Sequence, residues 1–165
     1  MEETRVIPDF PEYGVAKTGV VYNLSTEKVR KPSLTREGAA KITLFRGGKP
    51  YTRSLPKIVA DVWLWNDFDP QIFDTPIHLD NDLSNNHVDN LAWRPRWFAV
   101  KYQRQYWNEE YRYSKTVVED IKTGEIYKSI MDACQKYGYL YLDVLKSCTK
   151  GDEVYPTWRK FRFLT

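Results

Sequence analysis

The sequence predicts an α+β protein built from small modules, on three observations. Short alternating or β-branched runs, punctuated by Gly, Pro and Asn, fill the first third of the chain. Amphipathic helical patterns open at Pro56, beyond Pro95 and at Ser129. The 165 residues, 42% hydrophobic and 28% charged, argue against disorder and suffice for one ordinary domain or two very small modules.

The elements follow in order. Val20 to Leu24 is an extended run entered through Thr18-Gly19, with Pro8 and Pro11 before it. Lys41 to Phe45 alternates polar and apolar residues, Gly47-Gly48 supplies a turn, and Tyr51 to Leu55 returns as the second strand. Pro56 suits the first turn of a helix over Lys57–Trp65, with Ile58, Val59, Val62 and Trp63 on one face, closed by Asn66-Asp67-Phe68-Asp69-Pro70. HLDNDLSNNHVDNLAW, residues 78–93, reads as strand, polar loop and strand. Beyond Pro95, WFAVKYQRQYWNEEYRY is helical in pattern and crowded with rings. Val117 to Ile121 and Ile126-Tyr127 flank a turn through Gly124. Ser129-Ile130-Met131-Asp132 opens a helix to about Tyr137, with Gly138 as terminator. A second short helix spans about Tyr141 to Thr149, and Trp158 to Phe163 closes as a strand.

Composition narrows the function. A net charge of +3 permits nucleic-acid binding without demanding it. Twelve Tyr and six Trp suit base stacking or interfaces, and equally supply core area to thin modules. Cys134 and Cys148 form no CxxC pair, so reduced intracellular thiols are expected and a structural zinc site or disulfide is not. No apolar run approaches the roughly 20 residues of a membrane span. MEETRVIPDFPEYG, acidic and broken by prolines, does not read as a signal peptide.

The informative stretch is 78–93. A hairpin that cleaves phosphodiesters needs a histidine to activate water, a divalent cation on the phosphate and a polar side chain to fix the imidazole. His78 suits the first role and Asn90 the third. The spacing to Asn85, Asn86, Asn90 and Trp93 carries more information than the histidine alone.

This stretch resembles the HNH hairpin of phage and intron homing endonucleases, usually Asp-His-x-Asp-Gly-Asn, then Asn-Asn, then Asn-Leu-x-Trp. IPDFPEYGVAKTGVVYNL resembles the small module that often precedes such hairpins, and LPKIVADVW resembles the His-Arg-Leu-Val-Ala segment. Residues 116–163 are similar to the family's C-terminal DNA-binding repeat. The resemblance implies a ββα-metal hairpin set among small modules: 1–55 nuclease-associated, 56–108 HNH-like, and 109–165 of helix-turn-helix type. It also implies two metal ligands, at positions held here by Ile77 and Ala99. Neither can coordinate a hard cation. Asn81-Asp82 replaces the loop's Gly-Asn, and Pro56 replaces the histidine of the preceding segment. Nothing in the spacing of Asp80, Asp82 or His87 recommends a displaced site, and Gln103 or Gln105 stands nearer the site if the alignment slips at the helix.

The expected function is therefore a nucleic-acid-binding protein derived from a homing endonuclease and inactive as a nuclease, with His78 and Asn90 as vestigial base and orienter. No cofactor is expected, or Mg2+ or another divalent cation if cleavage survives. Expected binding residues are Arg94, Arg96, Lys101, Arg104 and Arg112 along the aromatic segment, and Tyr139, Tyr141, Lys146 and Lys150 around the helix pair. Double-stranded DNA is the expected partner, in the cytoplasm of a phage-infected bacterial cell, as a regulator or antagonist of a host process. An active DNA-nicking enzyme is one alternative. The other is a repurposed binder of structured RNA, a ribonucleoprotein or a host protein, because Asp143 and the tyrosines make a poor base-reading face.

Overall fold

A computed structural model describes all of residues 1–165. It is α+β, with five helices and four small antiparallel sheets. The chain divides into two compact units, the first formed by residues 1–78 and 82–95, the second by 79–81 and 96–165. The chain passes between them at His78 and Leu79 and returns at Asn81.

In the first unit, β1 (Thr4–Ile7), β2 (Phe10–Ala16), β3 (Val21–Asn23) and β4 (Val29–Arg30) form a meander in that order. β5 (Ser33–Leu34), β6 (Ala40–Arg46) and β7 (Lys49–Ser54) form a second. The Gly47-Gly48 turn joins β6 to β7 with both glycines at positive φ, as a tight hairpin requires. Leu55 leaves the strand that the sequence assigned to it and becomes the first residue of α1 (Leu55–Trp63). Pro56 in the first turn costs that helix no hydrogen bond. The helix ends two residues earlier than expected, at Trp63, and is capped by Leu64, whose N–H donates to Ala60 O. Leu55, Ile58, Val59 and Ala60 are buried, with Val15, Val21, Ile42 and Leu44 in the same unit's core. The Trp63 indole donates to Val15 O at 2.9 Å, and that of Trp93 to Leu64 O at 3.1 Å. β8 (Thr75–His78) and β9 (Leu91–Arg94) pair antiparallel, with His78 opposite Leu91 and Ile77 opposite Ala92.

In the second unit, the segment after Pro95 is two helices rather than one. α2 (Arg96–Gln105) stops, Tyr106 and Trp107 turn, and Asn108 caps α3 (Glu109–Tyr113) by accepting from the N–H groups of Glu110 and Tyr111. A helix-period pattern cannot show such a break, because the rings on both sides keep the apolar count up. The remaining elements are β10 (Val118–Asp120), β11 (Ile126–Tyr127), α4 (Ile130–Tyr137), α5 (Tyr141–Lys150) and β12 (Phe161–Phe163). β10 is the central strand, flanked by β11 and β12. Ser129 caps α4 by accepting from Asp132 N, and Gly138 and Gly151 end α4 and α5 in the left-handed conformation. Burial raises both thiols, Cys148 to about 11 and Cys134 well above its ordinary value, and both cysteines are free. No helix is long and apolar enough to cross a membrane.

Asp120 is fully buried and braces this unit. It pairs with Arg159 and accepts from the N–H groups of Lys122 and Thr123. Burial pushes its pKa up, but the Arg159 hydrogen bond and the two backbone donors outweigh that and hold it below the ordinary 3.8. A lowered folded-state pKa means stability that is present above the unfolded value and lost as pH falls through the folded one. Thermal unfolding followed from pH 6 to pH 2 should show that acid loss in the native protein and a flatter acid limb in Asp120→Asn. Arg159→Met, which strands a buried carboxylate, should cost about 3–5 kcal/mol at neutral pH.

Candidate HNH hairpin and basic surface

The loop between β8 and β9 contains little apolar material, and hydrogen bonds set its shape. Asp82 Oδ1 accepts from both the N–H and the Oγ of Ser84, at 2.9 and 2.6 Å. Those bonds lower its pKa. His87 Nδ1 accepts from Asp89 N and so caps the single 3₁₀ turn Val88–Asn90. Asn90 Nδ2 donates to Asn85 O at 2.9 Å. Asn81 takes a positive φ of 60°. Among residues with a side chain, asparagine tolerates that conformation best, so it can stand where the resemblance expects glycine.

The loop is anchored to the turn between β2 and β3. Val88 N donates to Lys17 O at 2.8 Å. Gly19, at φ +87°, lies so close that a Cβ there would stand 3.0 Å from Asn86 Cβ and 3.2 Å from Asn86 O. Both the left-handed backbone and the close approach require glycine.

The product of this anchoring is the placement of Asn86. Its Oδ1 lies 2.9 Å from His78 Nε2, and both side chains are buried. Asn86 Nδ2 faces Ser84 O at 3.4 Å, which turns the amide oxygen toward the imidazole. An oxygen can only accept, so the ring proton sits on Nε2 and Nδ1 keeps its lone pair. The sequence assigned ring orientation to Asn90, whereas the partner seen on Nε2 is Asn86. The Asn85-Asn86 pair was visible in the sequence, but only the fold shows which member reaches the ring.

The binding residues expected from sequence divide by exposure. Arg94 is buried, its Nη1 donating to Trp93 O at 2.7 Å. Tyr139 is fully buried and bonded to Thr157, and Tyr141 is buried and stacked on Tyr111 at 4.1 Å. These three pack the protein and offer little surface to nucleic acid. Arg96, Lys101, Arg104 and Arg112 are exposed on α2 and α3, as are Lys146 and Lys150 on α5. Gln103 is exposed. Gln105 is buried and engaged elsewhere: its Nε2 donates to Tyr139 O and its Oε1 accepts from Tyr141 N, clamping the turn between α4 and α5.

Sequence reasoning overlooked the most basic surface. Residues 28–57, from β4 into α1, carry nine Lys and Arg against one acid, Glu37. Residues 58–93 carry seven Asp and no Lys or Arg. The overall charge of +3 conceals this segregation. Five of the six residues of β7 are exposed. Arg46 and Arg53 lie over the Tyr51 ring, 4.9 and 5.5 Å from its centroid.

No family model matches the chain. An uncharacterised HNH endonuclease, L247, of Acanthamoeba polyphaga mimivirus is 31% identical over 93 residues, 56% of this chain and 23% of that protein. The DNA endonuclease I-HmuI of Bacillus phage SP01 is 32% identical over 81 residues, 49% of this chain and 45% of its own length. A solved structure of DNA binding and cleavage by the HNH homing endonuclease I-HmuI matches 98% of both chains, with a TM-score of 0.55 at 24% identity. The chain is thus similar to HNH homing endonucleases in sequence over about half its length and in fold over nearly all of it. It spans less than half the length of either curated relative.

HNH proteins imply a divalent metal, and the residues present do not fit one. Ile77, before the HNH histidine, is an aliphatic side chain 4% exposed on β8. Ala99 is half-buried on α2. No group of three or more His, Cys, Asp or Glu side chains is placed to hold an ion. Asp82 and His87, an acid and an imidazole of this loop, are occupied in shaping it.

The geometry predicts the tautomer directly. Nitrogen NMR of the native protein should show His78 protonated on Nε2 at pH 8. Asn86→Ala should mix the two tautomers and destabilise the fold by about 1–3 kcal/mol, the cost of an unsatisfied buried donor. Gly19→Ala should disturb the same His78 signals without touching the ring.

Proposed function

We propose that the chain is a DNA-binding protein of HNH homing-endonuclease descent that holds a duplex without cutting it. The observation that carries this reading is the exposed, basic β5–β7 sheet, taken with the aliphatic residues at both expected metal-ligand positions. A two-stranded ribbon fits the major groove of B-DNA, about 12 Å wide. Arg46, Lys49 and Arg53 are exposed along such a ribbon. The second unit offers its own exposed cations, on α2, α3 and α5, to phosphates. Functionally the chain then follows the order 1–55, 56–108 and 109–165: grip, vestigial HNH hairpin, second grip.

The acidic stretch 58–93 supports loss of cleavage. His78 can still take a proton at Nδ1, but phosphodiester hydrolysis also requires stabilisation of charge on the phosphate. Seven Asp with no Lys or Arg provide the opposite field. Losing one partner of a metal ligand costs roughly 10–100-fold, and replacing the ligands themselves costs more. The viral and phage sources of the relatives support a role in an infected cell, as a regulator or antagonist of a host process.

The buried, hydrogen-bonded His78, with Asn90 also retained, favours one second reading, a metal-dependent nicking enzyme. Selection of a cognate duplex, followed by cleavage assays with Mg2+ and Mn2+, separates the two. Stable binding with no cut, and a gain of nicking in the double variant Ile77→Asp, Ala99→Asn, is the expected result. Nicking by the native protein that His78→Ala abolishes would establish the second reading. The double variant Arg46→Ala, Arg53→Ala should weaken duplex binding uniformly across sequences. It should also reduce the slope of log affinity against log salt by about two.

A further inference from the structure

We infer that this chain associates with a second copy of itself, the exposed Trp65 and Ile72 of the loop between α1 and β8 docking on the basic strands β4–β7 of the other copy. Both surfaces belong to the first unit. The contact is independent of the DNA-binding reading, and only its competition with a duplex for the same strands rests on that reading.

Hydrogen bonds and a ring stack fix the loop. Asn66 Nδ2 donates to Phe73 O at 2.9 Å and so draws its two ends together. Phe68 N donates to Asn66 Oδ1, the Asp69 carbonyl accepts from Ile72 N and Phe73 N, and the Phe68 and Phe73 rings stack at 4.2 Å. This loop packs two of its rings together, yet it leaves Trp65 82% and Ile72 55% exposed. Asp67, Asp69 and Asp74 of the same loop are exposed as well, and residues 58–93 hold no Lys or Arg to neutralise them. An apolar anchor accompanied by carboxylates repels a polyanion and fits a cationic surface with apolar side chains of its own.

The same unit carries such a surface. Val29 on β4, Leu34 on β5 and Phe45 on β6 are exposed within the basic stretch 28–57. Arg30 ties β4 to β6: its Nη2 donates to Thr43 O at 3.1 Å, and its guanidinium lies 5.6 Å from the Phe45 centroid. Within one chain the two sets of charges do not meet. Of the nine cations in that stretch only Lys57 is ion-paired, to Asp61 on its own helix at 2.6 Å, and no Lys or Arg pairs with Asp67, Asp69 or Asp74. Opposite charges left unpaired inside the chain are free to pair between copies, and Lys and Arg also pack well on an exposed indole. Two copies facing each other make the contact twice; otherwise each leaves one surface open to a third. A loop seated on β4–β7 covers the strands proposed to hold a duplex, so a copy engaged in this way is withheld from DNA.

Sedimentation equilibrium of the full chain tests this. In low salt the average mass should rise above that of the monomer as concentration increases. The association should weaken about tenfold or more between about 0.1 M and about 1 M NaCl, as the screening length falls from about 10 to about 3 Å. The double variant Asp67→Lys, Asp74→Lys should be monomeric, and so should Lys49→Glu, Arg53→Glu. An equimolar mixture of the two should associate again, because the acidic loop of the second meets the intact basic strands of the first. A misfolded variant does not regain its partner in this way. Added duplex should dissociate the native association, and Asp67→Lys, Asp74→Lys should still bind duplex. A native chain that stays monomeric in low salt overturns the inference and leaves the DNA reading untouched. If that monomer's Trp65 indole N–H resonance, assigned with Trp65→Ala, shifts with an arginine-rich peptide, the loop's partner is another basic protein and not a second copy. Association that survives the charge reversals, or strengthens with salt, overturns docking through these surfaces. Duplex that binds without dissociating the copies overturns the shared strands. Association as expected with no duplex bound keeps the contact, and the DNA reading falls.

Discussion

The hairpin at the centre of the chain depends on a constraint of composition: a polar loop with few apolar side chains cannot be held by burial. Hydrogen bonds must hold it, each worth only about 1 kcal/mol net. Asp82, His87 and Asn90 therefore close turns within the loop, and the Lys17 carbonyl fastens it to the neighbouring strand turn. Gly19 makes the approach possible by having no side chain. The orientation of the imidazole is thus set by residues some sixty positions upstream, through backbone contacts.

A similar economy governs the second unit. Its elements are short, and polar clamps do what a large core does elsewhere. Gln105 spans the α4–α5 turn with both ends of its amide, Asp120 gathers Arg159 and two backbone donors, and two phenols converge on the Leu79 carbonyl. Burial raises the pKa of Tyr106 to about 12. The tyrosine richness that suggested stacking on bases is largely spent here, on packing and on backbone carbonyls.

Local chemistry was legible in the sequence and tertiary chemistry was not. Gly47-Gly48, Pro56, Ser129 and Gly138 act through their own backbone neighbours, so their turns and caps lie where the pattern put them. The end of α2 depends on where Tyr106 and Asn108 find partners, and no periodicity encodes that. Arg94 looked like a phosphate ligand because charge is read as exposure, whereas the fold buries its head against a carbonyl. Asn86 and Asn90 could not be told apart by spacing, since either reaches a histidine once the loop is free to bend. The segregation of charge was plain in the residues themselves and was hidden by summing over the whole chain.

That segregation has a kinetic meaning. Nine cations in one stretch, followed in the next by seven carboxylates of which six lie in the first unit, give that unit an uneven charge distribution as well as a net charge. A polyanion several nanometres away at low salt exerts a torque on it before any atom touches. For a chain that binds DNA as proposed, the basic β5–β7 sheet draws the duplex first, so productive orientation is selected during diffusion rather than by trial after contact. At physiological ionic strength the Debye length shrinks to about 8 Å, and the protein must search by collision instead.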